Sequence, residues 1–244
     1  MRDFARGTGD LSRGFAEIRR CPAAWKWLLA PAIVTLALIA AAIAGIAHVV
    51  HPLVAWVTAH LPSFLAGIAG GLLEIVLVVV LGLGALLIFT AVAGAIAGPF
   101  NEMLSERIEA HLTGKPEPAF SLPRFLHELS LGSAHGIRRV IVAILGALVV
   151  FALGFIPIVG TIAALVLGFW FAARGAAYDC YDAVLARRGM AYRDKLAYLE
   201  RHRARSLGLG AVVAALLLVP GINLVVLGLG AAGATVAAHD ARNA

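Results

Sequence analysis

The residues best suited to bind an anion lie in one short N-terminal segment. Gly14 and Phe15 offer backbone amides, and the guanidiniums of Arg19 and Arg20 follow at about one helical turn. Backbone amides and arginine side chains are the groups that proteins use to bind oxyanions. The alternative interpretation is that Arg19 and Arg20 are ordinary anchors at a membrane surface, and the sequence leaves both open.

A second set of polar groups occurs where two apolar blocks are interrupted by proline. Pro157 precedes Gly160, and Pro220 precedes Asn223. Because proline breaks a helix, a new helix N-terminus is expected after each break, and such ends face the solute in some transporters. The simpler interpretation, which we favour, is that Asn223 only caps its helix.

The segment after residue 98 has one polar side. Apolar residues recur at helical spacing between residues 100 and 112, with Glu106 and Glu109 on the opposite side. We expect Asn101 to cap this helix rather than to bind a solute. The two carboxylates would repel an anion, so we expect them to form salt bridges with basic residues of neighbouring segments. A similar amphipathic region lies between residues 179 and 205.

Patterns typical of an enzyme are missing from the sequence. It has no phosphate-binding glycine loop followed by Lys-Ser or Lys-Thr. His127 and His135 are eight residues apart, which is not the usual spacing of metal ligands, and Cys21 and Cys180 are isolated thiols. We therefore predict no catalytic residue, no metal site and no cofactor.

The segments that must position these polar groups are apolar. Of 244 residues, 61% are hydrophobic and 14% are charged, whereas soluble domains have about 25% charged residues. Glu74 is the only charged residue between residues 27 and 101, and the blocks 140–173 and 206–239 contain none if histidine is neutral. A soluble protein would need charges on the outer face of each helix, so the composition indicates an integral membrane protein.

Two segments are long enough to cross a bilayer, residues 27–50 and 65–98. The first would reach roughly 36 Å as a helix, against a hydrocarbon core of about 30 Å. The blocks 140–173 and 206–239 are each broken by a proline, and their shortest arm would reach only roughly 21 Å. We predict one all-α membrane domain over residues 1–244. It has two long transmembrane helices, two proline-broken helical hairpins that enter the bilayer partway, and amphipathic interfacial helices in cytoplasmic-side segments 99–136 and 179–205.

Basic residues are distributed unevenly along the chain. Six of the 20 lie in residues 1–26, five in 107–139 and eight in 174–205, and none lies in the connection 48–62. The positive-inside rule therefore places the basic segments and both termini in the cytoplasm. Basic residues at that surface contact the anionic lipids of the bilayer, so the net charge of +6 does not require a nucleic-acid partner.

Five motifs occur in a fixed order along most of the chain. They are Gly-Phe at 14–15 through Arg-Arg-Cys-Pro at 19–22, Ile-Ala-Gly-Pro-Phe-Asn at 96–101 followed by Leu-Ser-Glu at 104–106, Phe-Ile-Pro at 155–157 with Gly160, Tyr-Asp-Cys-Tyr-Asp at 178–182, and Val-Pro-Gly-Ile-Asn-Leu at 219–224. In this order they resemble the CysZ-type sulfate permeases, a group within the etoposide-induced-protein-like membrane family.

The resemblance implies a multi-pass inner-membrane protein that forms homo-oligomers and passes sulfate into the cytoplasm for cysteine synthesis. It also implies an N-terminal anion site, where the permeases carry Gly-Leu-Arg and residues 14–16 of this chain are Gly-Phe-Ala. Arg13, Arg19 and Arg20 are the candidates to replace the missing arginine. Two alternatives stay open: a non-transporting membrane scaffold or regulator on the same fold, and a channel for a different solute.

Overall fold

The computed structural model describes residues 2–60, 62–116, 121–123, 145–154, 156, 159–219 and 221–243, with the backbone alone at 63–69, 83 and 86–97. These ranges are almost entirely helical and contain no strand, which confirms the predicted all-α class. The helices are α1 (Arg2–Arg20), α2 (Pro22–Thr58), α3 (Ser63–Thr113), α4 (described over Leu145–Gly154), α5 (Val159–Arg187), α6 (Tyr192–Arg201), α7 (Arg203–Leu217) and α8 (Asn223–Asn243).

Three of the described helices are long and apolar enough to cross a membrane, namely α2, α5 and α8. Many large apolar side chains of α2 and α5 are exposed: Ile33 is 64% exposed, Ile43 65% and Leu165 70%. Such exposure would be unfavourable in water, but lipid tails solvate these side chains. The chain is therefore a multi-pass membrane protein.

The chain divides into two compact units. The apolar unit is Ala32–Gly94 and contains most of α2 and the first part of α3. The helical body comprises Met1–Pro31 and Ala95–Ala244. The charged and polar groups considered below all belong to the helical body.

Helix α3 continues without interruption from its apolar part into its amphipathic part. It runs for 51 residues with Pro99 inside it, although the sequence suggests a change of segment at residue 98. A proline removes one backbone hydrogen bond, and this long helix tolerates the loss. It ends at Thr113, directly before Gly114, whose φ of +67° favours glycine.

The helical body is built on close helix contacts at glycines. Helix α1 packs against α7 and α8, and α5 packs against the same two helices. A Cβ atom at Gly210 would lie 2.0 Å from the carbonyl oxygen of Ala173, so α5 and α7 meet backbone to backbone. Around these crossings the buried core includes the side chains of Cys180, Tyr181, Val184, Leu185, Leu209, Val213 and Val226.

Helices end at both of the predicted mid-block interruptions. The described part of α4 ends at Gly154 before α5 starts at Val159, and α7 ends at Leu217 before α8 starts at Asn223. Pro157 and Pro220 themselves lie outside the described residues. Helix α5 extends past the predicted end of its block because no helix-breaking residue occurs until Gly189, where φ is +68°. The depth to which either pair enters a bilayer stays a prediction.

Candidate functional site

Two exposed arginines lie at the end of α1, just before α2 begins. Arg19 and Arg20 occupy the last turn of α1 and are exposed. Arg20 Nη1 donates a hydrogen bond of 2.8 Å to Glu17 Oε1. In the described part of the chain Arg19 has no ion-pair partner, so its guanidinium is available to a solute.

The first turn of α2 adds to this positive region. Pro22 is the first helical residue, a position where its missing N–H is not needed. The amides that follow in the first turn carry the positive end of the α2 dipole, which offsets the negative end of the α1 dipole one residue earlier. Lys26 is exposed one turn later, with its Nζ 5.6 Å from the ring centre of Trp27. Lys26 is not among the anion-binding candidates drawn from the sequence; its position four residues after Pro22 is the signal that could have placed it here.

Gly14 and Phe15 lie before the last turn of α1. Gly14 is buried in the middle of α1, and a Cβ there would lie 2.4 Å from the amide nitrogen of Gly233 in α8. Its own amide belongs to the hydrogen-bond ladder of the helix. Phe15 is 41% exposed and meets the ring of Trp25 edge-on, with centroids 6.2 Å apart. Gly14 therefore has an evident packing role, and the anion-binding role predicted for it and for Phe15 stays a prediction.

A buried charge network, here called the α1 network, ties α1 to α7 and α8. Asp10 is completely buried and accepts hydrogen bonds from Arg205 Nε and Nη2 at 2.6 and 2.7 Å. Arg13 Nη1 lies 3.1 Å from Asp10 Oδ1 and 2.6 Å from Asp240 Oδ2. Arg205 Nη2 also donates to Asp240 Oδ2 at 2.7 Å. Two carboxylates thus neutralise two guanidiniums, and both arginines are committed to structure.

The pKa values of these arginines reflect the network. Hydrogen bonding to Asp10 raises the pKa of Arg205, and hydrogen bonding to Asp240 raises the pKa of Arg13. Sequence reasoning did not single out Asp10, Arg205 or Asp240. The sequence feature that could have indicated Asp10 is its position on the same helical face as Gly7 and Gly14.

A second network, here called the α3 network, joins the end of α3 to α5 and α8. Arg187 Nη2 donates to Glu109 Oε2 at 2.7 Å and to Ser105 Oγ at 2.9 Å. Arg242 Nη1 donates to Glu109 Oε1 at 2.8 Å. The hydroxyls of the buried residues Ser105 and Thr235 lie 2.7 Å apart. These contacts agree with the expectation that Glu109 pairs with basic residues rather than with a solute.

The other predicted positions also lie near helix contacts or turns. Glu106 lines a cavity of about 290 Å³ together with Glu109, Arg187 and Arg242. Asn101 lies inside α3, so the helix has no N-terminus there for it to cap. A Cβ at Gly160 would lie 2.1 Å from the carbonyl oxygen of Leu153, which makes this glycine necessary for the turn between α4 and α5.

Acidification is expected to weaken the α3 network. Burial alone would raise the pKa of Glu109, but the guanidiniums of Arg187, Arg188 and Arg242 outweigh it and lower that pKa. A carboxylate with a lowered pKa stabilises the fold above its unfolded pKa of about 4.3, and the stabilisation is lost as the pH falls through the lower folded value. The melting temperatures of wild type and Glu109→Gln should therefore differ most near pH 7 and converge below about pH 4.3. A difference that grows on acidification would contradict this account.

The described residues contain no group of three or more His, Cys, Asp or Glu side chains placed to hold a metal ion. Cys21 and Cys180 are both buried free thiols. The charged and polar groups described above for the helical body are therefore guanidiniums, lysine ammonium groups, carboxylates and hydroxyls. These groups suit reversible anion binding and helix packing.

Comparison with known proteins finds a matching family and several relatives that are named sulfate transporters. Residues 10–227 match the family described as Sulfate transporter CysZ/Etoposide-induced protein 2.4. A protein named Sulfate transporter CysZ from one strain of Pseudomonas fluorescens is 34% identical over 152 residues, which cover 61% of this chain and 59% of the relative. One from another strain is 31% identical over 192 residues, 76% of this chain and 75% of the relative.

A more distant relative aligns over a longer stretch. The protein named Sulfate transporter CysZ from Pectobacterium atrosepticum is 26% identical over 214 residues, covering 88% of this chain and 78% of the relative. The first alignment spans less than two thirds of its relative's length. The family match over residues 10–227 runs from the middle of α1 into the start of α8, so this chain belongs to the Sulfate transporter CysZ/Etoposide-induced protein 2.4 family.

Proposed function

We propose that this protein is an inner-membrane permease that brings sulfate or a related oxyanion into the cytoplasm. The observation that carries the proposal is the family match over residues 10–227, together with relatives that are named sulfate transporters. The helices α2, α5 and α8 are long and apolar enough to cross a membrane, as a transport protein requires. A transport role also agrees with a sequence that has no enzyme motif.

The junction of α1 and α2 is the anion-capturing site that the geometry supports best. Arg19, Arg20 and Lys26 are all exposed there, and the amides of the first turn of α2 lie beside them. Sulfate carries two charges, and moving it from water without compensation would cost many kcal/mol. An exposed site with three cations reduces that cost because the anion keeps part of its hydration while it binds.

The charge pattern and the family relationship support further parts of the proposal. The positions of the basic segments support cytoplasmic N- and C-termini, where the same residues would contact anionic lipid. The exposed apolar faces of α4 and α5 are suited to contact lipid or further copies of the chain, in keeping with a homo-oligomer. The imported sulfate would supply cysteine biosynthesis.

Uptake of radiolabelled sulfate by the purified protein in liposomes tests the proposal. Wild-type protein should show uptake above that of empty liposomes. The double variant Arg19→Ala/Arg20→Ala should reduce uptake at low sulfate concentration by about tenfold or more, because charge-assisted hydrogen bonds contribute roughly 1.5–3 kcal/mol each.

The matched control removes two other arginines of α1. Arg2 and Arg6 are exposed at the opposite end of the helix, so Arg2→Ala/Arg6→Ala should leave uptake nearly unchanged. No uptake by the wild type would remove the permease proposal and favour the membrane scaffold. Uptake that both double variants retain would preserve transport and dismiss the α1–α2 junction as its site. Uptake of another anion in preference to sulfate would show that the protein transports a solute other than the one proposed.

A further inference from the structure

One carboxylate lies inside the proposed anion site. Glu17 is in the last turn of α1, three residues before Arg20. Its side chain is only 14% exposed, whereas that of Arg20 is 69% exposed. Glu17 Oε1 accepts the hydrogen bond from Arg20, and Oε2 lies 3.8 Å from His111 Nε2. Glu17 therefore faces the end of α3 while it holds one of the two exposed guanidiniums.

Helix stability does not explain this position. The C-terminal end of a helix carries the negative end of its dipole, so an acidic residue in the last turn is locally unfavourable. The pair Asp3–Arg6 has the same spacing on the same helix, but Asp3 is in the first turn, where the dipole favours it. Both of its side chains are more than two-thirds exposed, and the charged atoms are 3.6 Å apart. The Glu17–Arg20 pair is shorter and more buried, at an end of the helix where its carboxylate is disfavoured.

A bound oxyanion and Glu17 would compete for the same guanidinium. Arg20 Nη1 is engaged by Glu17, and an anion near Arg19 and Arg20 would also feel the repulsion of the carboxylate. Permeation requires a site that binds well enough to attract its ion and weakly enough to release it. A carboxylate fixed beside the cations meets the second requirement.

We propose that Glu17 lowers the affinity of the anion site for sulfate and speeds its release by competing for Arg20. This inference rests on the proposed function. Glu17 acts through Arg20 and through repulsion, so it is a positioning residue rather than a direct ligand of the anion. His111, at the end of α3, lies 3.8 Å from the second carboxylate oxygen.

The variant Glu17→Gln tests the inference because it keeps the size of the side chain and removes its charge. The guanidinium of Arg20 is exposed, and an ion pair with an exposed group contributes little. Removing the competing carboxylate should therefore tighten sulfate binding by about two- to fivefold. In liposomes the KM for uptake should fall by a similar factor, and the maximal rate should fall because release becomes slower. A merely structural role of Glu17 would not produce tighter binding with slower maximal transport.

Two further variants make the test specific. Asp3→Asn removes the carboxylate of the corresponding exposed pair and should leave sulfate binding and uptake unchanged. In the background of Arg20→Ala, Glu17→Gln should lose most of its effect, because the group for which Glu17 competes is absent. Each variant is first checked for wild-type elution from a sizing column and for an unchanged melting temperature.

The readout is equilibrium binding of radiolabelled sulfate to the full-length protein in detergent, followed by uptake in liposomes. If Glu17→Gln binds sulfate no more tightly than wild type and Asp3→Asn, the inference about Glu17 is wrong, although transport itself stands. If its gain persists undiminished without Arg20, competition for that guanidinium is excluded. If neither wild type nor Glu17→Gln binds or transports sulfate, both the proposed function and this inference are overturned.

Discussion

Replacement of Arg205 by methionine is expected to destabilise the helical body by about 3 kcal/mol. Arg205 donates two hydrogen bonds to Asp10, whose side chain is completely buried. Removing one partner of a buried ion pair typically costs about 3–5 kcal/mol, because the other charge is left without compensation. The lower end applies here because Arg13 keeps a contact of 3.1 Å with Asp10.

The loss should appear as a lower melting temperature of the purified protein in detergent. A change of about 3 kcal/mol corresponds to a decrease of roughly 6–12 °C for a chain of this size. The matched control is Arg203→Met on the same helix, because Arg203 is 57% exposed and pairs with the equally exposed Glu200 at 3.6 Å. Its expected effect is below about 1 kcal/mol. Equal decreases for the two variants would show that the α1 network contributes no more than a surface pair.

A second substitution identifies the cause of the loss. In the double variant Asp10→Asn/Arg205→Met the buried charge is removed together with its partner, so part of the stability should return. Loss of packing by the arginine stem would instead persist in the double variant. The comparison therefore separates the electrostatic role of Arg205 from its role as a space-filling side chain.

The class of the protein could be predicted from the sequence because helices that lie in a membrane are apolar over long stretches. Long stretches without charges, as in residues 140–173, have only one stable environment, and the backbone there must satisfy its own hydrogen bonds as helix. The interruption between α7 and α8 was also predictable, since proline and glycine act locally on the backbone. Gly221 has a φ of +86° at that turn.

The ion networks could not be predicted in the same way. Asp10 and Arg205 are 195 residues apart in the chain, and no local pattern shows that they meet. The pairing of Glu109 with a basic residue was expected, but the identities of Arg187 and Arg242 depend on how α3, α5 and α8 pack. The continuity of α3 could not be predicted either, because the helix passes through Pro99, where the sequence suggests a change of segment, and ends at Thr113.

Gly14 shows that a glycine in a sequence can be interpreted in two ways. Glycine before arginines is consistent with an anion site, because its amide is accessible and has no side chain in the way. Glycine at a helix crossing is equally common, because it allows two backbones to approach. The structure shows the second situation at Gly14, whose missing side chain leaves room for the backbone of Gly233. Whether its amide also contributes to anion binding stays a prediction.

The variant Gly14→Ala is therefore expected to lose stability, although alanine normally favours a helix. The new Cβ would lie 2.4 Å from Gly233 N and 2.9 Å from the carbonyl carbon of Ala232, both backbone atoms. Backbone cannot rotate away as a flexible side chain would, so α1 must move from α8. Inserting an atom into a packed contact costs about 1–3 kcal/mol, and the tightness of this contact places the expected loss near the upper end.

Gly9 provides a control on the same helix, because a Cβ there would have no neighbour within 4 Å. Gly9→Ala should stabilise the protein by about 0.5–1 kcal/mol through the better helix propensity of alanine. The two identical substitutions thus have opposite expected signs, which melting temperatures in detergent can resolve. A stabilised Gly14→Ala variant would mean that α1 does not dock on α8 at Gly233. Sulfate binding that Gly14→Ala abolishes without lowering the melting temperature would instead support the anion role first predicted for this glycine.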